Sequence, residues 1–220
     1  ALERLATRLE RERKAFTAAT SPDAFADAHE DVVQLRQYVR LLGASGDATF
    51  TARDSAMADN VLHLAERYGK GTKAVLWAHN GHISRQWGEV DVMGRYLARA
   101  LGQRYVAVGF AFDHGGFQAH GIEGEQMTGV REHRVGPARG DDFEAALRDG
   151  GPALFALPLR DLPKAGPAAK WLRAPRPMRQ IGAAFLQDDL SARVIEPVPD
   201  RFDVMVFVEE TTRARPLARR

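Results

Sequence analysis

Residues 73–85 of the sequence read KAVLWAHNGHISR, in which an apolar run leads directly into a turn that carries two histidines. Residues 74–78 are apolar without alternation, which is typical of a strand buried on both faces of a parallel sheet. An amphipathic helix is predicted over about residues 91–101, and residues 105–110 supply another buried strand. These elements make a strand-helix-strand unit with a right-handed crossover. The sequence therefore predicts an α/β fold with a parallel sheet core and flanking helices.

The segment before this unit, residues 1–72, is predicted to be helical. Apolar side chains at spacings of three and four residues indicate helices over residues 1–19 and 22–42. Thr51, followed three residues later by Asp54, resembles a capping box and predicts the start of a third helix. We expect these helices to pack on the sheet or on its cleft.

Residues 73–212 form the α/β portion in this interpretation, and residues 213–220 form a basic tail. The whole is one structural domain or part of one. Two long segments rich in Gly and Pro, residues 114–140 and 157–177, are predicted to be binding loops or lids. The remaining predicted elements are a short helix and two strands, over residues 141–148, 153–157 and 203–208.

Composition limits the possible partners of this chain of 220 residues. The net charge of +2 and the pI near 9.1 come from scattered arginines, whereas nucleic-acid binders usually gather basic residues on one stripe. Cysteine is absent, which excludes disulfides, thiolate metal sites and a cysteine nucleophile. No apolar run approaches the roughly 20 residues that a membrane helix needs. We therefore expect a cytoplasmic protein with no nucleic-acid partner and no membrane partner.

The turn His79-Asn80-Gly81-His82 follows the predicted strand directly. Ligands of open α/β sheets bind at the carboxyl ends of the strands, so His79 and His82 lie where a site is expected. A neutral imidazole can take a proton from water near pH 7, and a second one can orient it or stabilise developing charge. Gly81 permits a tight turn, and Asn80 could donate a hydrogen bond to an oxyanion. The turn is therefore the leading candidate for catalysis.

Two other interpretations of the turn stay open. The histidines could cap a helix or bond to backbone carbonyls, and the His-x-x-His spacing also suits a metal pair. A metal pair needs a third ligand that the spacing does not supply, so we expect neither a metal nor another cofactor. The sequence holds no Gly-x-Ser-x-Gly elbow, which argues against a serine nucleophile.

Further candidate residues flank the predicted loops and the third helix. Arg53 lies where it could be directed at an anion or a carboxylate, although an ordinary exposed arginine explains it equally well. Trp87 and Phe117 border loops and could line an apolar substrate site, and His133 lies in a loop that could close over it. We assign Arg53 to catalysis, and Trp87, Phe117, His133 and Asn80 to substrate binding.

Several of these stretches together resemble the erythromycin esterase family. The WAHNGH core at residues 77–82 is specific, and weaker similarities bring the match from about residue 30 to the end. They read RDSAMADNV at residues 53–61, MGRYL at 93–97, YVAVGFAF at 105–112 and FDVMVFVEETT at 202–212.

The resemblance implies a hydrolase that uses histidine and glutamate as acid and base on a water molecule and opens a macrolide lactone. It implies no covalent serine intermediate and no cofactor. His79 and His82 match active-site histidines of the family, and Arg53 matches an arginine near its pocket. The family also contains members assigned to exopolysaccharide biosynthesis, so the substrate is an ester or a lactone of unspecified kind.

One feature of the family has no counterpart in this sequence. The first half of the family carries a Glu-Ala-Thr-His-Gly stretch that supplies the presumed general base and a carboxylate. We therefore expect the N-terminal half of the family fold to be missing here and to act as the partner of this chain. A separate partner or a loss of catalysis would also explain the difference. The alternative functions are a non-catalytic ligand-binding or assembly module with the same fold, and a metal-dependent hydrolase.

Overall fold

The computed structural model describes residues 1–69, 71–124, 126–186 and 192–215. The chain folds into two compact units, Ala1–Ala74 and Val75–Arg220. The predicted basic tail, residues 213–220, lies outside the described residues from residue 216 onward. Among the described residues no helix combines the length and the apolar content that crossing a membrane requires.

The first unit consists of helices packed through their apolar stripes. The helices are α1 (Leu2–Arg11), α2 (Arg13–Ala19), α3 (Pro22–Leu42) and α4 (Asp47–Arg67). The Oγ of Ser21 accepts a hydrogen bond from the backbone N–H of Ala24 at 3.1 Å and so caps α3. Leu9, Phe25 and Val32 are the buried core of this unit. The spacing of apolar residues thus predicted α3 correctly.

Two details of the helical prediction are wrong. The single helix expected over residues 1–19 is interrupted at Glu12, where α1 ends and α2 begins. The helix α4 begins at Asp47 instead of Thr51, because Gly46 adopts a φ of +57° and starts the helix one turn earlier. Asp54 consequently lies in the interior of the helix instead of near its start, and it is 1% exposed.

The second unit is a sheet with short helices around it. Its helices are α5 (Asn80–Ile83), α6 (Met93–Leu101), α7 (Phe143–Gly150), α8 (Pro167–Arg173) and α9 (Val198–Arg201), with a 3₁₀ turn at Gly102–Arg104. Its strands are β1 (Val108–Glu123), β2 (Gln126–Val135), β3 (Leu154–Pro158), β4 (Arg176–Arg179), β5 (Ala184–Phe185), β6 (Arg193–Glu196) and β7 (Val204–Thr211).

The main sheet has the strand order β2-β1-β7-β3, and β5 pairs with β1. Strands β1 and β7 are parallel, whereas β2 and β3 run antiparallel to their neighbours. The predicted α/β class with flanking helices is therefore confirmed, but the sheet is mixed and mostly antiparallel. The reason is the segment of residues 114–140, which forms most of the long β1–β2 hairpin instead of the predicted loop.

The apolar run of residues 74–78 is the clearest error of the sequence prediction. It forms no strand, and the side chains of Val75 and Trp77 are 92% and 87% exposed. A strand of this composition needs burial on both faces, and neither side chain is buried. The predicted strand-helix-strand unit therefore does not form.

The two faces of the main sheet differ sharply in burial. Ala111, Met205 and Phe207 point to one face and are at most 3% exposed. The opposite side, which we call the open face, carries Val108 and Phe110 of β1 and Leu154 of β3 at exposures of 37% to 67%. The strand register places these residues on one side, and the ring of Trp77 lies 5.7 Å from that of Phe110. The open face is thus an apolar surface that includes Trp77.

Candidate functional site

The histidine turn is a short helix whose first residue fixes its own ring. His79 is the N-cap of α5, and its Nδ1 accepts a hydrogen bond from the backbone N–H of Gly81 at 3.1 Å. The Nε2 of His79 lies 2.8 Å from the carbonyl oxygen of Ile181. Since Nδ1 accepts, the proton of the neutral ring is on Nε2, which donates to that carbonyl. Both contacts are with backbone, so the orientation of the imidazole is well defined.

The surroundings of His79 favour its neutral form. His79 as a whole residue is exposed, but the protein around its ring removes part of the surrounding water, which lowers the pKa of His79, and the neighbouring His82 and Arg201 lower it further. The hydrogen bond with Ile181 opposes this shift but is the smaller effect. The direction of this shift favours the neutral form of the His79 imidazole.

Asn80 connects the turn to the edge of β1. Its Nδ2 donates to the carbonyl oxygen of Phe110 at 2.7 Å, and its Oδ1 accepts from the backbone N–H of the same residue at 3.0 Å. The amide side chain thus satisfies the two backbone groups that a neighbouring strand would otherwise satisfy. His82, two residues further on, is half-buried on the same helical turn.

Close backbone packing holds the end of the turn. The hydroxyl of Tyr105 donates to the carbonyl oxygen of Ile83 at 2.5 Å, and burial raises the pKa of Tyr105 to about 12. Helix α6 approaches through Gly94, where an added Cβ would lie 2.3 Å from that same oxygen. Only glycine permits this approach, so Gly94 sets the position of α6 against the turn.

A buried arginine lies beneath the turn. Arg201 is fully buried, and its guanidinium carbon lies 4.8 Å from the ring centroid of Trp87. The Trp87 ring in turn lies against the turn, since a Cβ at Gly81 would be 3.4 Å from it. Burial lowers the pKa of Arg201 to about 10, so the group stays positively charged at neutral pH. Sequence reasoning missed Arg201, because it resembles any arginine that precedes a strand.

A buried carboxyl group belongs to the same polar interior. Glu144 is fully buried, and its Oε1 accepts from the backbone N–H of Arg179 at 2.8 Å. Its Oε2 has no hydrogen-bond partner among the described residues. Burial raises the pKa of Glu144 to about 7. Near the start of a predicted helix such a residue looks like an acid that complements the helix dipole, so the sequence offered no signal of its burial.

Phe117 and His133 form a second group, which the structure places on the β1–β2 hairpin. Their rings stack with centroids 5.6 Å apart, and the ring of Phe185 lies edge-on, 5.1 Å from Phe117 and 5.3 Å from His133. His133 is buried, with its Nε2 3.3 Å from the carbonyl oxygen of Ala119. The segment is a strand pair and not the predicted loop, so these residues pack as an aromatic cluster.

Arg53 lies in the helical unit, on α4. Its Nε is 3.8 Å from a carboxylate oxygen of the buried Asp54, and its guanidinium carbon is 5.5 Å from the ring centroid of Phe50. The structure thus groups His79, Asn80, His82 and Trp87 at the turn, Phe117 and His133 in the hairpin, and Arg53 in the other unit. Within the described ranges, no cluster of three or more His, Asp or Glu side chains could hold a metal ion.

Comparison with solved structures shows the fold to which this arrangement belongs. A succinoglycan biosynthesis protein matches with a TM-score of 0.76 at 21% identity, over 96% of this chain and 48% of its own. A protein from Bacillus cereus matches with a TM-score of 0.77 at 21% identity, over 96% and 51% of the two chains. A mutant of the erythromycin esterase EreC in its open conformation matches with a TM-score of 0.62 at 20% identity, over 95% and 51%. The chain therefore spans about half the length of each of these structures.

Sequence comparison gives the family directly. None of the curated proteins matches the chain significantly. The family model for erythromycin esterase, in contrast, matches residues 1–211. That range covers both units and includes the histidine turn. The chain belongs to the erythromycin esterase family.

Proposed function

We propose that this chain forms the C-terminal half of a hydrolase that opens a carboxylic ester or a macrolactone with an activated water molecule. The observation that supports this most is the turn, where two histidines lie three residues apart and the first is held neutral by its surroundings. Together two imidazoles can orient an attacking water molecule, assist the transfer of its proton and stabilise the charge that develops. Family membership adds that proteins of this type are hydrolases.

The hydrogen bonds suggest how the two histidines divide the work. Both ring nitrogens of His79 are bonded to backbone, so we assign His79 to orienting the site and to stabilising charge. The general base of the N-terminal half takes the proton of the attacking water, and His82 assists the transfer of that proton towards the leaving group. The water oxygen bonds to the carbonyl carbon, the acyl C–O bond breaks, and the leaving alkoxide receives the proton. Arg53 is assigned to charge stabilisation by resemblance alone.

The open face suggests where the rest of the protein binds. An apolar surface that includes Trp77 and Phe110 is unusual on a protein that acts alone, and it marks an interaction site. The solved structures that this chain resembles are about twice as long. We propose that the N-terminal half of the same protein covers the open face and supplies the general base and the carboxylate.

A specific observation also favours a second function, a non-catalytic ligand-binding or assembly module. The polar side-chain atoms of His79 and Asn80 form hydrogen bonds with backbone groups, as is usual for residues with a structural role. In that case the turn would only connect β1 to the segment around Ile181, and the open face would serve assembly.

Substitution of each histidine in the complete protein tests these two functions. We expect His79→Gln and His82→Gln each to lower the turnover of an ester or a macrolactone by about 100- to 10,000-fold. His29→Gln, in the helical unit, is the control and should leave turnover unchanged. Products are identified by the mass of one added water. Full activity of both variants at the turn would refute the hydrolase mechanism and leave the binding module.

Chelation separates the proposed mechanism from a metal-dependent one. If histidine and glutamate alone activate the water, exhaustive treatment with a chelator leaves turnover unchanged. Elemental analysis should then find no stoichiometric zinc in the active protein. Loss of activity that added zinc restores would instead establish a metal-dependent hydrolase.

A further inference from the structure

Arg201, the last residue of α9, is a charged side chain with no access to solvent. Removing a guanidinium from water is costly unless the protein pairs the charge and satisfies its hydrogen bonds. A buried arginine therefore needs a compensating environment or a role that justifies the cost.

Aromatic rings and two polar side chains surround the guanidinium. Its carbon lies 4.8 Å from the ring centroid of Trp87 and 5.0 Å from that of Phe202. Its Nε lies 3.4 Å from both Glu196 Oε2 and Ser84 Oγ. Among the described residues its Nη2 has no hydrogen-bond partner. The pairing is thus long and incomplete, and the carboxyl groups of Glu196 and Glu144 offset the cost of burying the charge only in part.

Three contacts link this guanidinium to the histidine turn. Trp87, on which it stacks, packs against Gly81 of the turn. Glu196, its ionic partner, accepts a hydrogen bond from the backbone N–H of Gly88 at 2.7 Å and so fixes the residue after Trp87. The carbonyl oxygen of Arg201 itself accepts from the N–H of Arg85 at 3.0 Å.

We propose that Arg201 is a positioning residue for the histidine turn, holding Trp87 and the backbone on both sides of it in place and presenting a fixed positive charge to His79. As a role in catalysis this rests on the hydrolase function proposed above. As a structural and electrostatic role it can be measured without any activity.

The charges that face His79 are few, which makes the effect measurable. From α5 it is faced by the titratable ring of His82 and from α9 by the charged Arg201, and both interactions lower its pKa. The carbonyl of Ile181 acts in the opposite direction. Removing the charge at residue 201 should therefore make His79 easier to protonate.

The test compares three variants of this chain by NMR titration of the histidine side chains. Arg201→Met removes the charge and keeps an apolar stem, and Arg201→Lys keeps the charge without the planar stacking group. The double variant Arg201→Met/Glu196→Gln avoids leaving an unpaired carboxylate and serves if the single variant does not fold. We expect the titration midpoint of His79 to move upward in both Met variants and to stay near that of the parent in the Lys variant.

A matched control separates this role from general loss of stability. Arg193 is also buried, and it pairs with Asp142 through two hydrogen bonds of 2.9 and 2.8 Å. Arg193→Met should lower the unfolding temperature yet leave the titration of His79 unchanged. An unmoved His79 midpoint in a folded Met variant at residue 201, or an equal shift in the Arg193 control, would overturn the proposal.

The effect of Arg201 on catalysis is measured separately, from kcat and KM of the complete protein. Arg201→Met should lower kcat by about 100-fold with little change in KM, as expected when a reacting group is displaced by about 1 Å. The Lys variant should recover part of that loss. If the parent protein hydrolyses nothing, the function proposed above fails, and the NMR titration still decides whether Arg201 positions the turn.

Discussion

His79 is an exposed residue whose ring is partly desolvated, which lowers its pKa below the ordinary value of 6.5 and favours its neutral form. On acidification, the unfolded chain takes up this proton at a higher pH than the folded chain does. The folded state therefore loses stability as the pH falls through 6.5. We predict that kcat/KM of the complete hydrolase is flat above about pH 6.5 and falls along an acid limb below it. The pH–rate profile measures this limb. A midpoint above about 6.5 would mean that the limb belongs to another group.

Glu144 makes stability depend on pH in the opposite direction, because burial raises the pKa of this carboxyl from 4.5 to about 7. The stability that the neutral acid contributes is complete below 4.5 and is lost as the pH rises through about 7. Glutamine removes the free-energy cost of an ionised carboxylate in this buried position. We predict that Glu144→Gln raises the unfolding temperature at pH 8 by about 3 °C for each kcal/mol of that cost, and changes it little at pH 4. Thermal unfolding at the two pH values tests this, with the exposed Glu123→Gln as control. Equal shifts at both pH values would refute it.

Among the secondary structure elements, α6 is tied most closely to the turn. A Cβ at Gly94 would lie 2.3 to 2.4 Å from backbone atoms of Ile83 and Ser84, so the helix must move if the glycine is replaced. We predict that Gly94→Ala lowers the free energy of unfolding by about 1 to 3 kcal/mol, in the range of overpacked sites. It should also lower turnover of the complete protein.

The control for this prediction is Gly150→Ala at the end of α7. An added Cβ there meets nothing within 4 Å, so the substitution should be close to neutral. Urea unfolding of both variants measures the difference. Equal stabilities of the two variants would show that α6 can move away from the turn at no cost.

The elements also show what the sequence could and could not predict. Local periodicity identified α3, α6, β3 and β7, since the apolar residues within each segment are enough to mark it as a helix or a strand. Residues 114–140 read as a loop because of their glycines. In β1, however, Gly115 lies where a Cβ would be 2.2 Å from the backbone of Thr211, so glycine permits close packing of two strands. Strand pairing is non-local, and single-sequence patterns do not report it.

The residues of the candidate site also fall into those that the sequence could identify and those that it could not. The histidine turn is a local motif, so the sequence located it, and the structure shows how His79 is held. Part of the surroundings of Arg201 and Glu144 comes from residues far away in sequence, namely Trp87 and Ser84 for Arg201 and Arg179 for Glu144, and the local sequence does not show these contacts. Phe117 and His133 were assigned to a loop that is a hairpin, so their contacts with Phe185 could not be foreseen.

For the whole molecule, the open face and the length of the related structures lead to one expectation. Trp77 is 87% exposed on an apolar surface, while the matched structures are about twice as long as this chain. We propose that the polypeptide encoded upstream of this chain covers that face and completes the site. The two parts together should then bury Trp77 and hydrolyse a substrate that this chain alone leaves intact.

Hydrolysis by the chain alone and by the chain together with its upstream polypeptide, followed by mass spectrometry of the products, tests this most directly. We predict no macrolactone or ester cleavage above background for the chain alone, because a missing general base typically costs about 100- to 10,000-fold. Addition of the upstream polypeptide should restore cleavage, and His82→Gln should abolish it again. Efficient cleavage by the chain alone, or restored cleavage that survives His82→Gln, would contradict the account.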